Sequence, residues 1–153
     1  MITTIALATL LMAAHPHQLD EDIQGYAYII EQAENCKYSK GKTIDPKLLV
    51  GLARIEKSYN PPPELKGMLL AAACHESGFN PNALGDWRTV TRRGKKVRVA
   101  KAVGLFQMWP WWESKRHGYA VDRRNPLEAA EAFMAHIMRQ LPKVKKRCRW
   151  RRS

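Results

Sequence analysis

The stretch "ELKGMLLAAACHESGFNPNALG", residues 64–85, decides how the chain is read. Every residue from Met68 to Cys74 is apolar, and a helix that is apolar almost all round belongs in the middle of a core. Glu64 reads as its start and Ser77-Gly78 as its end. The run closes on a single carboxylate, Glu76. Apolar surroundings and the negative end of the helix dipole both oppose an anion there. Such a position suits chemistry in which a neutral carboxylic acid gives up a proton, as glycosidic cleavage requires. On position alone, Glu76 also reads as an exposed last-turn residue or as the partner of an Arg or Lys.

Around this helix the organisation is helical. "QLDEDIQGYAYIIEQAENC" carries Ile23, Tyr26, Ala27, Ile30 and Ala33 at helical spacing, and "KYSKGKT" interrupts it. Asp45-Pro46 supplies an N-cap and a first-turn proline for a helix with Leu48, Leu49, Leu52 and Ile55 on one face, ending before "NPPP". Over 88–101, "RTVT" and "KVRV" flank "RRGK", which predicts a short exposed β-hairpin with glycine at the turn. "AVGLFQMWPWWESKRHGY" predicts a helix from about Gly104, broken at Pro110. Asn125-Pro126 caps a last helix with Leu127, Ala130, Phe133, Met134, Ile137 and Leu141 on one face. The expected fold is mainly α, with a small inserted β-hairpin.

Composition narrows the partners. At 153 residues and 45% hydrophobic, this is one domain's worth of globular chain. It has 26 Lys and Arg against 14 Asp and Glu, but the excess is local. Residues 87–101 hold seven basic and no acidic residues, and residues 143–153 hold another seven with none. The remainder is slightly acidic, so basicity belongs to the hairpin and the tail. These segments suit an anionic surface or polymer, or read simply as solvated charge. With no zinc-finger spacing and no RRM-like motif, nucleic acid is not the expected partner.

Cys36, Cys74 and Cys148 are widely spaced and form no CxxC, so neither a metal site nor a redox motif is expected. One disulfide with a free thiol fits an exported protein; Cys74 alternatively reads as a small core residue. Residues 2–14 are an uncharged apolar run of 13, short for a bilayer span and close to the core of a signal peptide. A signal anchor or a first helix are the other readings.

Two ordered blocks then carry a resemblance. Glu76, Ser77, Phe79, Pro81 and Ala83, followed by Gly104, Leu105, Gln107 and Met108, resemble the signature blocks of the soluble lytic transglycosylase family in the lysozyme-like superfamily. That family's pattern runs Glu-Ser-x-Phe-x-Pro-x-Ala, then Gly-Leu-x-Gln with a hydrophobic residue next. The resemblance covers about residues 45–142. It implies a lysozyme-like domain over 18–142, preceded by a signal peptide or anchor (1–17) and followed by a basic tail (143–153). It implies a periplasmic or extracellular enzyme, monomeric and without cofactor or metal, acting on peptidoglycan glycan strands. Glu76 would protonate the oxygen of the β-1,4 bond between N-acetylmuramic acid and N-acetylglucosamine. It would then act as base on the muramoyl 6-hydroxyl, closing a 1,6-anhydro ring. Ser77, Gly104, Leu105, Phe106, Gln107, Met108 and Tyr119 are the candidate substrate-binding residues. Phe106, Met108, Trp109 and Trp111 offer faces for sugar rings or, alternatively, side chains for the core.

The chain departs from the family in three places. Gly85 stands where a small polar residue is usual, and the basic hairpin lengthens the loop between the blocks. The family's third block, an aromatic-Asn-Ala-Gly-like segment with a tyrosine that contacts the acid, is replaced by "KVKKRCRWRRS". Tyr119, which precedes the last helix, is the stand-in. Asp86 and Glu113 are the nearest further carboxylates, and neither lies in a motif. The alternatives are a hydrolase of the same fold, a non-catalytic wall-binding module, or a basic protein of membranes or nucleic acid.

Overall fold

The computed structural model describes residues 29, 31, 33–39, 41–117 and 119–150, so the expected signal segment lies outside the described residues. Three α-helices with defined bounds and one antiparallel hairpin make up the described fold: α1 (Pro46–Ser58), α2 (Met68–Ser77), β1 (Leu84–Arg92), β2 (Lys95–Val103) and α3 (Pro126–Trp150). Residues 29, 31, 33 and 34 are also helical. The architecture is mainly α with a small hairpin, and no described helix is long and apolar enough to cross a membrane.

Helix α1 begins where expected. Asp45 Oδ1 accepts from the Lys47 N–H at 2.9 Å, satisfying one of the free first-turn donors. Leu48, Leu49, Val50, Leu52 and Ile55 are buried. Each fully buried leucine contributes about 1.5–3 kcal/mol.

Helix α2 starts four residues later than the sequence predicts. Pro63–Leu65 forms only a 3-10 turn, because Gly67 adopts φ +80° and breaks the path from Glu64. The cap comes from a neighbour instead: Glu56 of α1 accepts from Gly67 N–H at 2.6 Å and Leu69 N–H at 2.9 Å. A carboxylate there also complements the helix dipole. Leu69, Leu70 and Ala73 are buried, while Ala71 is exposed, so α2 is buried along one stripe and not all round. Gly78 ends the helix at φ +59°. A Cβ on Gly78 would lie 2.3 Å from the Tyr38 carbonyl oxygen, so the chain at 38–39 packs directly on this turn. A Cys36–Cys74 disulfide ties the same two segments, with Cα atoms 5.8 Å apart. Ser39, buried, donates from its hydroxyl to Cys36 O at 3.1 Å and locks the approach.

The hairpin is longer than predicted, running from Leu84↔Val103 at its base to Arg92↔Lys95 at its tip. The two-residue turn Arg93-Gly94 has φ +49° and +74°, the doubly left-handed geometry that matches strand twist.

The helix predicted near Gly104 is absent. Residues 104–107 form a tight turn closed by reciprocal backbone bonds between Val103 and Met108, at 3.1 and 3.0 Å. Gly104 (φ +80°) and Gln107 (φ +45°) both leave helical space. Two 3-10 turns follow, Pro110–Glu113 and Lys115–His117.

Helix α3 is capped by Asn125, whose Oδ1 accepts from Leu127 N–H at 3.1 Å. Ala130 and Met134 are buried, and Phe133, Ile137 and Leu141 are half-buried. Leu127 is exposed yet crosses α1 closely: a Cβ on Gly51 would lie 2.6 Å from its Cδ2. The helix continues through Pro142 to Trp150, so the first residues of the basic tail are helical. Lys145 pairs with Glu64 at 3.2 Å.

Candidate active site

Glu76 sits in the last turn of α2, on the same face as the buried Leu69 and Ala73. The Glu76 side chain is 46% exposed, which agrees with the exposed last-turn reading and corrects the dry one. Its ion-pair neighbour among the described residues is His75, with Nδ1 3.9 Å from Glu76 Oε1. The ring of His75 meets that of Tyr38 edge-on at 5.4 Å. Ser77 turns back on its own helix, donating to Ala73 O at 3.1 Å.

The hairpin base joins the two motif blocks. Gly104 N–H donates to Ala83 O at 2.9 Å, and Leu84 pairs with Val103 beside it. Gly85 and Gln107 are in close contact: a Cβ at 85 would fall 2.2 Å from Gln107 Oε1. The unusual glycine at 85 thus makes room for the amide of Gln107. That amide donates from Nε2 to Gly104 O at 3.0 Å, which holds the turn shut.

Of the other candidates, Leu105, Phe106 and Met108 are buried. Phe106 stacks on Phe133 with ring centroids 4.9 Å apart. Their side chains serve the core, and Gln107 is the one residue of this turn that is not fully buried. Gly104 is equally enclosed, with a Cβ position 2.0 Å from Arg123 O. Trp109 and Trp111 are substantially exposed, whereas Trp112 is buried.

Tyr119 belongs to a separate cluster with Trp111, Trp112 and His136. Its hydroxyl lies 2.7 Å from His136 Nδ1 and accepts from the Arg139 guanidinium, whose charge also sits 4.9 Å from the phenol ring. The hydroxyl proton is available to His136 whenever Nδ1 carries none. Burial, then the positive charges of Arg139 and Lys143, hold His136 below the usual histidine range.

Both further carboxylates are committed to arginines. Asp86 lies 3.2 Å from Arg88 Nε. Glu113 Oε1 lies 2.8 Å from Arg123 Nε, although that buried N–H makes no well-directed hydrogen bond. Arg123 also donates from one Nη to Lys101 O at 2.9 Å and Met108 O at 2.8 Å. Nothing in the sequence around Arg123 marks this role. Sequence reasoning also passes over Trp87, 47% exposed on β1 with the Arg98 guanidinium 5.4 Å from its ring; its place in a basic run drew notice only for charge.

Neither a protein-family model, nor a curated protein, nor a solved structure matches this chain.

Proposed function

We propose that the chain is a lysozyme-like lytic transglycosylase that cleaves the β-1,4 bond between N-acetylmuramic acid and N-acetylglucosamine in peptidoglycan. The observation that carries this reading is the joining of the two motif blocks. The backbone bond from Gly104 to Ala83 and the Gly85–Gln107 contact bring the "GLFQM" turn alongside the loop that leaves Glu76. Of the three candidate carboxylates, Glu76 is the one with no arginine beside it among the described residues, while Asp86 and Glu113 each have one. That distribution supports a scheme with a single working carboxyl.

In this scheme Glu76 donates its proton to the glycosidic oxygen as the C1–O bond breaks. The carboxylate so formed takes the proton of the muramoyl 6-hydroxyl, whose oxygen bonds to C1, and no water is consumed. The substrate's N-acetyl group helps spread the oxocarbenium charge. Since Glu76 is half exposed, sugar rings laid over the end of α2 supply the exclusion of water that acid catalysis wants. Trp109 and Trp111 offer exposed flat faces for further rings. The disulfide between Cys36 and Cys74 supports work in the periplasm or outside the cell, where such bonds persist.

Glu76→Gln is expected to abolish release of soluble muropeptides from purified cell walls without changing the thermal melt. Mass spectrometry of the wild-type products tests the chemistry, since anhydro ends lack one water. Hydrated ends would assign a hydrolase. Tight wall binding without any release would assign a binding module.

A further inference from the structure

The hairpin carries a charge arrangement that its own stability does not explain. Arg92 and Lys95 stand directly opposite each other at its tip, and like charges in that relation destabilise a strand pair. Residues 91–98 are all exposed, so none of this charge is used in the core. The cations also occupy both faces. The register sets Arg88, Arg92 and Lys95 on one face and Lys96 and Arg98 on the other. A lipid bilayer would be met by one face, and the opposite one would be left over. A branched polyanion that passes around the arm satisfies both.

The arm also has reach and anchorage. Nine residues per strand extend about 30 Å at ~3.3 Å per residue. Its base is held by Arg123 on Lys101 O and by Gly104 on Ala83, the same contacts that join the motif blocks. The foot of the arm thus stands at the "GLFQM" turn, and its cations lie further out along the strands. Trp87 under Arg98 adds a flat apolar face beside them.

We propose that this hairpin is an anion-reading arm that binds the carboxylates of the peptide stems on the glycan strand, so that the protein favours peptide-bearing over peptide-free glycan. The inference rests on the proposed action on peptidoglycan and names which part of that polymer the arm recognises. A glycan seated at Glu76 carries its stems at intervals along its length, and the arm presents cations at intervals along its own.

The test is co-sedimentation of the full chain with purified cell walls, intact or stripped of peptides by an amidase. A Glu76→Gln background keeps the walls undigested. The arm variant replaces Arg92, Lys95 and Lys96 with glutamine at exposed positions, and its melt checks that it folds. Expected are a loss of affinity for intact walls of about tenfold, or ~1.4 kcal/mol, and a similar loss for the parent on stripped walls. The two losses should not add. Affinity of the parent for intact walls should fall steeply from about 50 to about 200 mM salt. Equal binding of intact and stripped walls, or full retention by the arm variant, overturns the proposal. So does tighter, arm-dependent binding to duplex DNA or to phosphatidylglycerol vesicles. Arm-dependent wall binding by a wild-type chain that releases no fragments supports the arm while defeating the enzymatic reading.

Discussion

Replacing Cys36 with serine opens the loop that the Cys36–Cys74 disulfide closes across a sequence separation of 38. In the chain-entropy description, such a cross-link removes about 13 cal/mol/K from the unfolded ensemble, or about 4 kcal/mol at 25 °C. The folded state should lose little in exchange, because serine is close in size and Ser39 still locks its turn. For a chain of this length, each kcal/mol moves the midpoint by about 2–4 °C, so Cys36→Ser should melt about 8–16 °C lower. Cys74→Ser and reduced wild-type protein should melt at similarly lowered temperatures. Circular dichroism against temperature gives the shift. A thiol count on denatured protein, before and after reduction, should rise by two for this one bond. A shift under about 3 °C in both serine variants, with reductant equally without effect, would refute the loop-closure reasoning.

Other perturbations separate structural from functional roles. Gly78→Ala forces a side chain into φ +59° and against the Tyr38 carbonyl; the backbone term alone costs about 1–2 kcal/mol, and chemical denaturation should show at least that loss. Phe106→Ala should cost about 3–5 kcal/mol by opening a cavity beside Phe133, whereas Trp109→Ala, at an exposed site, should barely move the melt and should weaken wall binding; a reversed order would overturn the division of these aromatics. The His136 histidine range is lowered in the folded state by burial and by Arg139 and Lys143, so the unfolded chain takes up the proton first as pH drops below 6.5. Its contribution is therefore complete above that pH and disappears as pH falls through the lowered folded value. The melting temperature should drop between about pH 7.5 and about pH 5.5, by less in His136→Gln; an equal drop in both proteins would exclude His136 as a source.

Local signals were legible where local chemistry decides the backbone. Asp45-Pro46, Asn125-Pro126 and Ser77-Gly78 mark helix ends through their own caps, and "RRGK" marks the tip of the hairpin. The segment after β2 was misread as a helix because Gln107 reaches positive φ through partners distant in sequence or folded over it, namely Gly85 and the Gly104 carbonyl. Glu56 was likewise invisible as a cap, since it acts from α1 on α2. Within the candidate site, the position of Glu76 at a helix end is legible, and of its two readings the exposed last-turn one is what the fold shows. Tyr119 is a stand-in for the family's tyrosine by resemblance alone, and its hydroxyl lies against His136 and Arg139, contacts that no sequence pattern marks.

Arg123 joins three pieces of chain that are far apart in sequence: β2 through Lys101, the "GLFQM" turn through Met108, and the 3-10 turn carrying Trp111 through Glu113. One planar, rigid group makes all three attachments. The hairpin is therefore not a tassel hung from a loop; it is geared to the turn at its foot. A sideways load at Arg92 or Lys95 is delivered through β2 to the Lys101 carbonyl and, by the same guanidinium, to Met108. The route from the tip of the arm to that turn thus runs through one strand and one guanidinium, and no helix lies on it.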